Sequence, residues 1–140
     1  MENIISLLWD KTHHLQRFYE INESELMNFV EGNFDNLEVF YNSREAILDL
    51  VACIDRLIEQ ANISNPNADA TNEQKQEISS AIARKNDLVN EILAQDLQIL
   101  SVLESAKSNI IKELSQVRAA RKAVGAYGRR RKNDRLDEEM

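Results

Sequence analysis

An all-α protein, built as an antiparallel bundle of three helices, is what this sequence predicts. Three observations predict it. The 140 residues include only three glycines and one proline. Glu, Lys, Leu, Ala and Ile are abundant and β-branched runs are few. Apolar residues recur at three- and four-residue steps through most of the chain, the spacing that keeps one stripe of a helix on a partner.

The spacing predicts a first helix over 3–31. Ile4, Leu8, Leu15, Phe18, Tyr19, Leu26, Phe29 and Val30 keep the step, with Trp9 just off it. Ile21 to Glu25 is polar and could bend this helix, although no breaker is present. Gly32-Asn33 is a stop signal, a left-handed cap after the last periodic residue. Asn33 or Asp35 can then cap a second helix over 35–61, on Leu37, Phe40, Tyr41, Ile47, Leu48, Val51, Ile54, Ile58 and Ala61. So short a turn makes the two helices antiparallel. Arg44 falls on the second seam. It is either an edge or partly buried residue with a packed stem, which is the expected case, or a buried charge needing a carboxylate such as Glu20 or Glu23.

Residues 62–71, rich in Asn with Ser, Pro and Asp, are turn chemistry and the one linker. Thr71 followed by Gln74 has the form of a capping box opening the third helix. That helix, over 72–127, has no proline and carries Ile78, Ile82, Val89, Ile92, Ile99, Leu103, Ala106, Ile110, Val117, Ala120, Val124 and Tyr127 on its stripe. Leu88, Leu93, Leu100, Val102 and Leu114 lie beside the stripe, while Lys85, Asp96 and Glu113 put charges on it. The charges are expected at its edges, snorkelling to water or setting register. Unbroken, the helix would reach on the order of 80 Å. Two helices of half that length cannot cover it. Either it breaks, giving four helices, or its stripe past about residue 100 is exposed. The domain expected is a bundle over 1–128, followed by a disordered charged tail over 129–140.

Charge and composition bound the function. Net charge is −7. Lys and Arg counted against Asp and Glu give −8 for residues 1–61, −3 for 62–117 and +4 for 118–140. An acidic body argues against nucleic acid as the main partner. The basic run Arg129 to Lys132 reads as a solvated helix end. Cys53 is the single cysteine, expected as a small, partly buried residue, and points to a reducing compartment. No apolar run is long enough to span a bilayer, and the start Met1-Glu2-Asn3 lacks the positive segment of a secretion signal. A soluble, cytoplasmic protein is expected. So are no cofactor, no metal and no enzymatic activity. The adjacent His13 and His14 point about 100° apart on a helix, no Glu-x-x-His pair occurs, and the glycines are isolated.

The turn Gly32-Asn33-Phe34-Asp35-Asn36-Leu37, followed by Arg44-Glu45-Ala46-Ile47-Leu48, resembles the helix–turn–helix of flagellar type III export chaperones of the FliT/FlgN type. The long last helix, with Leu88 to Leu93, Asp96, Ile99, Leu103 and Leu114, closing on Ala126-Tyr127-Gly128, resembles the FliT branch in particular. Phe34 stands where that family often has Trp. The resemblance implies a cytosolic chaperone for the amphipathic C-terminal helix of a late flagellar substrate, a filament-cap or hook-associated protein. It also implies delivery to the export apparatus and its ATPase complex. The client-binding residues expected are Ile92, Ile99, Leu103, Ile110 and Leu114. Two rival readings are a self-associating coiled coil, with homodimers, and a nucleic-acid or ribosome adaptor using the basic C-terminal region.

Overall fold

The computed structural model describes Glu2–Ser64 and residues 70–139, with side chains described as far as Ala126. Among the described residues there are three helices and no strand: α1 (Glu2–Val30), α2 (Leu37–Ser64) and α3 (Asn72–Glu139). The fold class expected from the sequence is the one found. The chain divides into two compact units, Met1–Val102 and Leu103–Met140.

In the first unit α1, α2 and the beginning of α3 share one core. Leu15 and Phe18 of α1, Ile47 and Val51 of α2, and Leu88 and Ile92 of α3 form its buried centre. Each such side chain contributes roughly 1.5–3 kcal/mol on leaving water. Arg84 donates to Gln16, and Gln95 and Asp96 accept from Asn22, so α1 and α3 ascend together. Lys11 meets Asp55 at 2.7 Å and Arg44 reaches Asp96, so α2 runs against both.

The turn between α1 and α2 follows from its sequence. Gly32 has φ +84°, a left-handed conformation. Its N–H donates to the Phe29 carbonyl at 3.0 Å, and the Asn33 N–H donates to the Asn28 carbonyl at 2.9 Å, so the last turn of α1 is closed in a Schellman cap. The Asn33 side chain accepts from the Asp35 N–H at 3.1 Å. Asn33 therefore shapes the turn rather than capping α2, which starts two residues later than the sequence suggests. Phe34 stacks on Phe29 with centroids 5.4 Å apart, and Phe40 meets Phe29 edge-on at 5.3 Å. A Cβ on Gly32 would meet nothing within 4 Å, so the left-handed backbone alone penalises substitution. Gly32→Val is expected to lower stability by about 1–2 kcal/mol. An unchanged thermal melt would remove the turn from this role.

α3 opens as expected. The Thr71 N–H donates to Gln74 Oε1 at 3.0 Å and the Gln74 N–H donates to Thr71 Oγ1 at 3.1 Å, a reciprocal box. α2 runs on to Ser64, past the expected start of the linker at 62. The linker's residues 65–69 lie outside the described residues. α3 is a single helix, so the alternative of a fourth helix does not arise. It ends at Glu139, not at 127. Residues 129–139 contain no proline, and a glycine such as Gly125 or Gly128 disfavours a helix by only about 1 kcal/mol. The side chains of 127–140, the basic run 129–132 among them, lie outside the described residues.

Candidate functional site

The residues expected to bind a client do not form one surface. Ile92 and Ile99 are 7% and 3% exposed and belong to the core of the first unit, so neither has a face to offer. Leu103 is half-buried at the start of the second unit. Ile110 and Leu114 are more than half exposed, at 55% and 51%. On α2 the seam residues Phe40, Ile47 and Ile54 are buried as well.

The reason lies in which stripe of α3 the core uses. Ala81, Leu88, Ile92, Gln95 and Ile99 are the buried positions, at steps of seven, four, three and four. Leu88 is fully buried at the centre, not beside it, and Ile82 on the expected stripe is 40% exposed. From Glu104 to Ala126 every described residue but the half-buried Ala106 is exposed. Here the helix presents Leu103, Ile110, Val117 and Val124, each seven residues from the next, with Ile111 and Leu114 alongside. At 100° per residue, positions seven apart stay within about 20° of one another, so these form a continuous apolar ladder. Its borders differ. Lys107, Arg118, Arg121 and Lys122, with Glu104 at the start, lie on one side. The other carries Ala106, Asn109, Ala120 and Ala123, with Glu113 among them. Small residues on that side let another helix approach closely.

The first unit holds a polar cluster of its own. Asn22, fully buried, donates to Gln95 Oε1 and to Asp96 Oδ1, each at 3.2 Å. Gln95 donates to the Tyr19 carbonyl at 3.1 Å and to Glu23 at 2.8 Å. Arg44 donates through Nη2 to Asp96 at 2.9 Å. Its guanidinium lies between the rings of Phe18 (4.7 Å) and Phe40 (4.9 Å). Arg44 is partly buried, at 19% exposure, as expected, and its carboxylate is Asp96 on α3 rather than Glu20 or Glu23 on α1. Stacked between two rings it gains cation–π attraction. One carboxylate, Asp96, therefore ties all three helices. Sequence reasoning missed Asn22 and Gln95, although a signal was there. Asn22 stands seven residues from both Leu15 and Phe29, and Gln95 seven from Leu88, so both are polar residues at seam positions.

Other parts of the molecule hold less chemistry. A shallow cleft of about 710 Å³ between the beginnings of α1 and α3 is lined by Ile5 and Trp9 and by the carboxylates of Glu2, Asp10, Glu73 and Glu77. Among the described residues no three His, Cys, Asp or Glu side chains converge on a metal-sized site. The rings of His13 and His14 meet edge-on with centroids 5.8 Å apart. Cys53 is exposed, not partly buried, because it faces away from the Val51–Ile54 side of α2. Among the described residues no helix is long and apolar enough to cross a membrane. No family model, curated protein or solved structure matches the chain.

Proposed function

We propose that this protein is a cytosolic export chaperone that captures an amphipathic helix of a late flagellar substrate, a filament-cap or hook-associated protein, for delivery to the export apparatus and its ATPase complex. The observation that carries the reading is the apolar ladder of Ile110, Val117 and Val124, exposed, with the half-buried Leu103 at its start. An apolar helical face of this kind marks an interaction site and reads a partner helix through anchors at the same spacing. The resemblance of residues 32–37 and 44–48 to the flagellar chaperones supplies the class of client. Ile92 and Ile99 drop out of the site, and Leu103, Ile110 and Leu114 remain.

The test is co-purification with the filament-cap protein of the same organism. Leu103→Glu with Ile110→Glu is expected to weaken capture by about a hundredfold or more, since each buried aliphatic contributes roughly 1.5–3 kcal/mol. Ile110 is exposed and Leu103 half-buried, so helicity by circular dichroism is expected to survive. A folded variant that still holds the filament-cap protein would sink the assignment.

A further inference from the structure

α2 carries a second apolar face that the bundle does not use. Phe40, Ile47, Val51 and Ile54 are buried, yet Val39, Ala46, Leu50, Cys53 and Leu57 on another side are exposed. They follow each other at steps of seven, four, three and four, with the half-buried Ser43 completing the ladder between Val39 and Ala46. This is the seam spacing of a helix that packs on another helix. Val39, Leu50 and Leu57 keep 63%, 46% and 45% of their surface in water, a disfavoured arrangement for three aliphatics in line. The solvent border of this face carries Glu38, Glu45 and Asp49, interrupted by Arg56.

The second unit carries the complement. Its ladder from Leu103 to Val124 spans about 30 Å, and that on α2 from Val39 to Leu57 about 27 Å. The border of one is acidic and that of the other basic. The same division holds for the units as wholes: Met1–Val102 contains 18 acidic and 7 basic residues, Leu103–Met140 contains 6 and 10. We propose that the basic-bordered ladder of the second unit docks on the acid-bordered face of α2 in a second copy of this chain. Matched period, matched length and opposite charge select this occupant, and the charge also steers the encounter. The same second-unit ladder serves the proposed client, so a second copy and a client helix exclude one another. The α2 face belongs to self-association alone.

The full-length chain tests this by sedimentation equilibrium at low and high salt, with Cys53 as a built-in reporter. It is the only cysteine and lies on the α2 face between Leu50 and Leu57. The expected result is a mass that rises above the monomer with concentration and falls back with salt. Maleimide modification of Cys53 is expected to slow at least about tenfold as the mass rises, because docking covers the thiol. Glu45→Lys with Asp49→Lys is expected to weaken association at least about tenfold, as is Arg118→Glu with Arg121→Glu. The two double variants mixed together are expected to regain association, which misfolding would not give. A monomer at all concentrations, a Cys53 rate independent of mass, or a mixture that fails to recover would each overturn the proposal. Leu50→Glu separates it from the client reading: self-association is lost while capture of the filament-cap protein is kept.

Discussion

Leu88→Ala is expected to lower the stability of the first unit by about 2–5 kcal/mol, the largest effect of any single truncation proposed for this chain. Leu88 is fully buried where α1, α2 and α3 meet, among Leu15, Phe18, Ile47, Val51 and Ile92. Removing its branched end leaves a void that three helices, fixed by their neighbours on either side, can only partly close. Leu93 makes the comparison sharp. It lies five residues on in the same helix and is 56% exposed, so Leu93→Ala is expected to change stability by no more than about 0.5 kcal/mol. Both variants carry the same chemical change and nearly the same change in helix propensity. Urea unfolding followed by circular dichroism reads the difference. Equal midpoints for the two would mean that the core does not use this stripe of α3.

Asp96→Ala is expected to cost about 2–3 kcal/mol, below the range for a wholly buried pair because the Asp96 side chain is 35% exposed. The loss comes from what is left behind. Arg44 would keep its guanidinium between Phe18 and Phe40 without a counter-charge, and Asn22, fully buried, would lose one of its two acceptors. Arg44→Met keeps an unbranched stem between the rings and leaves Asp96 held by Asn22, so a smaller loss is expected. The double variant is expected to be more stable than the sum of the two losses implies, with a coupling of about 1 kcal/mol or more. Strict additivity would show that the two residues do not act as a pair.

The sequence made the local features of this fold legible and left the pairing between helices hidden. Gly32 and the Thr71–Gln74 box are set by residues within a few positions of one another, and both take the conformation their chemistry implies. The same holds for the extents of α1 and α2, within three residues. Arg44 shows the limit. Its need for a carboxylate is written in its seam position, but the choice of Asp96, 52 residues away, depends on how α3 is rotated against α2. That rotation also decides whether Leu88 or Ile82 is buried, because a long apolar pattern drifts round a straight helix and admits two neighbouring stripes. For the candidate site, exposure past residue 100 followed from arithmetic alone: two short helices cannot cover a long one. The inclusion of Ile92 and Ile99 failed for the same reason that Leu88 was displaced, a stripe chosen without its partners.

The polar cluster at Asn22 has a further consequence, for slippage. The pattern of α3 is nearly periodic at seven residues, so sliding the helix along its axis by one repeat, about 10 Å, would bring a second set of seam residues against the core. Leu88 would be replaced by Gln95, Ile92 by Ile99, and Gln95 by Val102. Ile99 would keep an aliphatic contact, but Gln95 would bury an amide among Leu15, Phe18, Ile47 and Val51. Val102 offers Asn22 no acceptor, and the residue arriving beside Arg44 in place of Asp96 is Leu103, which carries no charge. The cluster therefore acts as a vernier stop. It fixes which residues of α3 meet Leu15, Phe18, Ile47 and Val51 in the core of the first unit.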